Sequence, residues 1–144
     1  MPVTRRDLNL LLPMLAGHAA MAQDRHIQKM LQSAAYKFDD MPLKASGENR
    51  VRGVLNGTTH KGSAVELHLT ELDPGMAPHP PHQHLHEKMA LVQIGELDVT
   101  ITGKTTRLTP GSVAFVASNE LHGWKNPTAG RTQYFVIALG QNQG

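Results

Sequence analysis

The chain has 144 residues, 40% hydrophobic and 18% charged, which fits one globular domain with a single core rather than a disordered or a membrane protein. The formal net charge is +2 at pH 7, and no basic run is interleaved with aromatic residues, so neither nucleic acid nor an anionic membrane is an expected partner. The absence of cysteine excludes disulfides, thiolate metal sites and cysteine nucleophiles, so any metal must have nitrogen or oxygen ligands.

The first 22 residues have the pattern of an export signal. Thr4-Arg5-Arg6 precede the apolar stretch Leu10–Ala16, and small residues ending in Ala20-Met21-Ala22 follow. A basic start, a short apolar middle and an A-x-A end are typical of a secretory signal peptide. The paired arginines resemble the twin-arginine signal, although Leu8 stands where that signal usually has Phe. We therefore predict a signal peptide over residues 1–22, export by the twin-arginine or the general secretory route, and a periplasmic or secreted protein.

Residues 23–50 are predicted to form an N-terminal helix and a linker. Apolar side chains recur at helical spacing in the first part, and Asp24 can cap its N-terminus. These apolar residues are Ile27, Met30, Leu31, Ala34 and Ala35. A short helix is expected over residues 24–38, followed by a linker that contains proline, glycine and asparagine.

From residue 51 to residue 140 the hydrophobic period changes to two, which predicts strands. Val65, Leu67 and Leu69 alternate with polar residues, as in a half-buried strand. Further strands are predicted at residues 88–94, 96–101, 105–108, 112–116 and 132–139. We interpret Gly95 and Gly103-Lys104 as hairpin turns between strands. Short strands at regular spacing indicate an all-β antiparallel sandwich or barrel over residues 51–140.

Four histidines are crowded into residues 78–87, at positions 79, 82, 84 and 86. Side chains two apart on an extended segment point to the same side, so His82, His84 and His86 can converge. His122 is the only histidine downstream and is the candidate third ligand from a distant strand. Neutral imidazole binds Zn, Fe, Ni, Cu and Mn. The cluster therefore predicts a divalent transition metal site; the alternative is a set of surface histidines in a proline-rich loop.

Two spaced patterns in this region resemble the two sequence motifs of the cupin superfamily. They are Gly75-x6-His82-Gln83-His84-x10-Gly95 and Gly111-x10-His122-x3-Asn126. The resemblance implies a double-stranded β-helix, or jelly roll, with a divalent metal inside the barrel. It also implies that His82, His84 and His122 are metal ligands, together with a glutamate. It allows two copies to pair through edge strands as a homodimer.

The glutamate of that ligand set has no counterpart at the expected position. Lys88 stands seven residues before Gly95, and a protonated lysine cannot ligate a metal. Glu87 is adjacent, but strand parity turns it to the opposite face. Three alternatives stay open: a three-histidine site with an open face, a fourth ligand from His86 or His79, or a metal-free site in which Lys88 is the working group.

These residues predict an enzyme that acts on a small molecule. Three neutral imidazoles leave the charge of a divalent metal uncompensated, so a small anionic or enolisable substrate is expected. Dioxygenase chemistry with Fe(II) is the first expectation and isomerisation or decarboxylation the next, with Lys88 or His86 moving protons. The candidate residues of the substrate pocket are His79, Trp124, Met76 and Phe115. The alternative is a non-catalytic module that binds a small ligand or a metal through a degenerate site.

Overall fold

The computed structural model describes residues 29–46 and 49–140, where the chain folds into two antiparallel sheets. One sheet has six strands in the order β1-β2-β3-β9-β4-β7, and the other has three in the order β6-β5-β8. The strands are β1 (Leu43–Ser46), β2 (Asn49–Thr58), β3 (Ala64–Leu72), β4 (Glu87–Ile94), β5 (Leu97–Ile101), β6 (Lys104–Leu108), β7 (Val113–Val116), β8 (His122–Lys125) and β9 (Thr132–Leu139). This architecture confirms the predicted all-β jelly roll.

The core lies between the inner faces of the two sheets. Trp124 and Val99 from the three-stranded sheet pack against residues of the larger sheet, among them Tyr134 and Val136 of β9. Successive side chains of a strand point to opposite faces of its sheet, so the core residues of β4 and β5 lie at alternate positions, as Ala90 and Val92 or Leu97 and Val99 do. Burying each large apolar side chain contributes about 1.5–3 kcal/mol relative to leaving it in water.

The strands predicted between residues 88 and 139 are confirmed, and their ends agree to within a residue or two. The first predicted strand covered only the middle of β3. Three strands were not predicted: β1, β2 and β8. Sheet structure therefore begins at Leu43 and not at residue 51. The pairing of β2 with β3 shifts register between Gly53 and Leu55, and such a bulge interrupts the period-two pattern.

The helix predicted over residues 24–38 is wrong for the part that the structure describes. Residues 29–37 have no helical structure, and the one helical element among the described residues is the 3-10 turn Phe38–Asp40. The described residues therefore include no helix capable of spanning a bilayer. Residues 24–28 and the signal peptide predicted over residues 1–22 lie outside the described part.

Residues 29–31, here called the N-terminal strap, bond to the end of β2. The N–H of Leu31 donates to the Thr58 carbonyl at 2.9 Å, and the N–H of Thr58 donates to the Lys29 carbonyl at 3.0 Å. A Cβ at Gly57 would collide with the Lys29 carbonyl oxygen and with Leu31. The strap therefore needs glycine at this position, and its hydrogen bonds to β2 replace those of the expected helix.

Gly95 is a turn but not the hairpin that was predicted. It joins β4 to β5, which belong to different sheets, so the chain crosses the sandwich here. Its φ is +73°, and a Cβ would lie 2.7 Å from the Arg131 carbonyl oxygen. The second predicted hairpin is confirmed: Ile101 pairs with Lys104 across Thr102-Gly103, both of which have positive φ.

Candidate metal centre

His82, His84 and His122 come together inside the barrel, as predicted. Each offers one ring nitrogen, and these three atoms lie within 4.8 Å of one another. His122 begins β8 and is 1% exposed, whereas His82 and His84 are half-buried on the loop before β4. A backbone bridge fixes that loop to β8, because His82 and His122 exchange N–H to carbonyl hydrogen bonds at 3.0 and 2.9 Å.

A main-chain carbonyl orients each of the three rings. The Nδ1 atom lies 3.3 Å from its carbonyl oxygen in His82, 2.7 Å in His84 and 2.9 Å in His122. The three carbonyls belong to Pro80, His86 and Glu120. A carbonyl can only accept, so Nδ1 carries the proton in each ring and Nε2 keeps a lone pair. This orientation is the one that metal-ligating histidines adopt.

The donor set fits a divalent first-row transition metal. The Nε2 atoms of His84 and His122 are buried and have no hydrogen-bond partner among the described residues. Burial lowers the pKa of His84 to about 4, with a further contribution from the charge of Lys88, and burial also lowers the pKa of His122. Both rings are therefore neutral at pH 7, which is the state that ligates metals.

Two more histidines lie against this triad. His86 is 8% exposed and stacks on His84, with ring centroids 3.5 Å apart and an interplanar angle of 11°. The ring of His79 lies 4.1 Å from that of His82, and its Nδ1 is 3.0 Å from the Pro80 carbonyl oxygen. Neither contributes an atom to the group of three converging nitrogens. Their predicted roles as a fourth ligand, a proton carrier or a pocket residue stay predictions.

Comparison with protein families supplies the identity of the domain. The family described as Cupin domain matches residues 68–138. This protein is a cupin. The match spans both histidine motifs and, in whole or in part, the seven strands from β3 to β9. This region carries the candidate metal centre.

Solved structures show the same fold. An RmlC-like cupin from Shewanella frigidimarina has a TM-score of 0.65 at 18% identity, covering 78% of this chain and 95% of its own. KdgF from Halomonas sp. has a TM-score of 0.67 at 16% identity, covering 78% and 97%. The polyketide cyclase RemF from Streptomyces resistomycificus has a TM-score of 0.66 at 18% identity, covering 78% and 83%. A comparison with curated proteins found no significant match.

Lys88 of this cupin stands on the inner face of β4, as strand parity predicted. Its alternates Ala90 and Val92 are buried in the core, whereas Leu91 between them is exposed. Burial lowers the pKa of the Lys88 amine, and the nearby Glu66 carboxylate partly offsets this effect. The position that the family gives to a carboxylate ligand is therefore occupied here by a cation that faces the barrel interior.

Sequence analysis missed Glu66 and His68, because the apolar positions of β3 were taken as its buried face. In the six-stranded sheet Glu66 pairs with Ala138, which pairs with Lys88, so the three lie on the same face. His68 pairs likewise with Val136 of the core. Its Nδ1 is 3.2 Å from a Glu66 carboxylate oxygen. Glu66 and His68 are two residues apart, as His82 and His84 are. This spacing of polar residues was the sequence pattern that could have indicated a shared inward face.

Trp124 is the other predicted pocket residue that contacts the centre. Its ring lies 5.2 Å from that of His122 and is buried in the core. The carbonyl of Met76 accepts a hydrogen bond from the N–H of Asn126 at 2.9 Å, and the pocket role of Met76 stays a prediction. Asn126 in turn donates its side-chain amide to three main-chain carbonyls. It therefore holds the turn before β9 against the end of β3.

Phe115 points away from the barrel interior, contrary to prediction. It is 52% exposed, whereas the next residue of β7, Val116, is completely buried. Val116 is the residue that pairs with Lys88, so parity turns Phe115 to the outer face. The presence of an aromatic residue does not show on which face of the sheet its side chain lies, because β7 carries apolar residues on both faces.

Proposed function

We propose that this cupin is a metal-dependent enzyme that acts on a small anionic or enolisable organic molecule. The proposal rests on the convergence of one ring nitrogen from each of three histidines, whose Nδ1 atoms lie within hydrogen-bond distance of main-chain carbonyls. A site with three protein ligands keeps positions for substrate and water, which is the arrangement of catalytic metal centres, whereas structural centres have a closed ligand set.

In this proposal His82, His84 and His122 hold the metal, which is one of Fe, Mn, Ni, Zn or Cu. When bound, such an ion supplies a Lewis acid that stabilises an enolate or, for Fe(II), a centre for oxygen chemistry. Lys88 on the inner wall binds an anionic group of the substrate or transfers a proton. Trp124 closes the side of the centre beyond His122 and excludes water there. Dioxygenase cleavage is the first reaction to test, and isomerisation or decarboxylation the second.

A second candidate function is a non-catalytic module that binds a metal or a small ligand. It is favoured by Lys88, which replaces the family's carboxylate ligand with a cation on the inner face. Such a module would retain its ligand without turning it over. We further propose, from the pattern of residues 1–22, that the protein is exported; N-terminal sequencing of the mature protein should then begin at Gln23.

Elemental analysis tests the metal-dependent function directly. Protein purified without oxygen from its own compartment should contain one transition metal ion per chain, and His122→Ala should lose it. The matched control is His60→Ala, which removes an exposed histidine in the turn before β3. Protein that lacks stoichiometric metal, and that stays inert towards small organic acids after Fe, Mn, Ni and Zn are added, would contradict the proposal. Tight metal retention with no turnover favours the binding module.

A further inference from the structure

A small polar cavity of about 60 Å³ lies next to His86, which precedes β4 and stacks on His84, and residues of β2, β3 and β9 line it. Asn56, Glu66 and His86 form its polar walls, whereas Ala138 and Gly140 leave the space open because they have little or no side chain. The Nδ1 atom of His86 is buried and has no partner among the described residues. A cavity of this size and polarity accommodates a few water molecules or a charged side-chain end.

The sheet register places Glu66, which lines this space, and Lys88, which does not, on the same inner face of the sheet. Glu66 pairs with Ala138 and Ala138 pairs with Lys88, so the two charged residues are separated by one intervening strand. Neighbouring strands lie about 4.8 Å apart, which puts the two Cα atoms about 10 Å from each other. The methyl group of Ala138 between them does not fill the gap. Both long side chains can therefore extend towards each other over it.

The surroundings keep Glu66 negatively charged. Its hydrogen bond with His68 lowers the pKa of the carboxyl group; burial opposes this effect, and the charges of His68, Lys88 and His86 lower the pKa further. For Lys88, burial lowers the pKa and Glu66 raises it. Each group thus stabilises the charged form of the other across β9. No carboxylate lies within the group of converging histidine nitrogens itself.

We propose that Glu66 is the counter-charge of this centre, supplied by β3 in place of a carboxylate on β4, and that it sets the affinity of the three histidines for a divalent cation. The inference rests on the metal binding proposed above. A divalent cation and the Lys88 ammonium on the inner face of β4 repel each other, and the Glu66 side chain, which is 41% exposed, acts on them through partial solvent screening. The negative charge of Glu66 opposes that repulsion without occupying a coordination position, so the open face remains available.

Titration with Co²⁺, followed by visible absorption and by competition with a chelator, tests this role in the full chain. Glu66→Gln should weaken Co²⁺ binding by about tenfold, the lower end of the range for residues that act through metal ligands. Lys88→Met should strengthen it by a similar factor, and the double variant should bind close to the wild type. Glu66→Asp keeps the charge and should recover most of the affinity. Glu87→Gln removes a neighbouring carboxylate on the outer face of β4 and should change nothing.

The outcomes separate the two proposals. Equal Co²⁺ affinity in the wild type and Glu66→Gln overturns the role of Glu66 and leaves the metal centre intact, whereas a wild type that binds no Co²⁺ overturns both. Circular dichroism checks that each variant is folded. If Glu66→Gln does not fold, Lys88→Met still decides, because an affinity equal to that of the wild type shows that no charge balance operates at the centre.

Discussion

The loop that carries His82 rests directly on a glycine of β8, so enlarging that glycine should disturb the metal centre without removing a ligand. A Cβ placed on Gly123 would lie 3.3 Å from Cγ of Pro81 and 3.4 Å from its Cα. Carbon atoms pack best at about 3.5–4.0 Å, so Gly123→Ala requires a shift of a few tenths of an ångström. The γ-carbons of valine reach about 1.5 Å further, and Gly123→Val should displace Pro81 by about 1 Å.

Metal–nitrogen bonds tolerate deviations of only about 0.2 Å. A displacement of about 1 Å in Pro81 therefore moves the adjacent His82 out of its coordination position. We expect Gly123→Val to weaken Co²⁺ binding by at least about tenfold, or about 1.4 kcal/mol, and Gly123→Ala to have a smaller effect. The control is Gly53→Val in β2, where a Cβ has nothing within 4 Å. The reasoning is refuted if Gly123→Val is folded by circular dichroism and binds Co²⁺ as tightly as Gly53→Val.

Three further predictions concern the stability of the fold and the attachment of the N-terminal strap. Asn126→Asp should destabilise the fold by about 3 kcal/mol and lower Tm by about 10 °C in calorimetry. The reason is that an oxygen replaces the side-chain amide that donates to three carbonyls at 2.7 to 3.1 Å. The control is Asn119→Asp, which lies on an exposed loop and should have little effect. Gly57→Val should release the N-terminal strap, seen as faster tryptic cleavage at Lys29 with the barrel still folded; unchanged cleavage would contradict the strap contact. Metal-free protein should lose stability as the pH falls from about 6.5 towards 4, because burial lowers the pKa of His84 to about 4 and the unfolded chain takes up the proton first. Urea titrations at pH 7.5 and 5 measure this loss, and His84→Gln should reduce it.

The candidate metal centre was predictable because its three histidines follow two local patterns. His82 and His84 are two residues apart on an extended segment, and His122 stands at a fixed distance after a turn glycine. Both patterns can be read from the sequence without knowing how the loops fold. The inward direction of Lys88 followed from parity in the same way, since β4 alternates regularly from Lys88 to Val92, before its register with β9 shifts between Val92 and Ile94.

Other features depend on tertiary contacts that no local pattern encodes. The apolar spacing around Leu31 is compatible with a helix, but hydrogen bonds to Thr58 decide in favour of an extended strap. Gly95 indicates a backbone of positive φ, which is needed equally for a hairpin and for a crossover between sheets. Strand β3 alternates as expected, yet its polar side faces inward because the barrel interior beside the histidines is itself polar. Only the pairing of Glu66 with Ala138 reveals this.

The carbonyl groups that orient the three ligand rings have a consequence for sequence variation around the centre. These hydrogen bonds use main-chain atoms only, so the side chains of the residues that supply the carbonyls are not needed to set which ring nitrogen carries the proton. Glu120 can therefore change without altering the tautomer of His122, provided that the path of the backbone is kept. Side chains at such loop positions can change while the three imidazoles keep the orientation that binds a metal. Substitutions that shift the backbone are expected to disturb that orientation more.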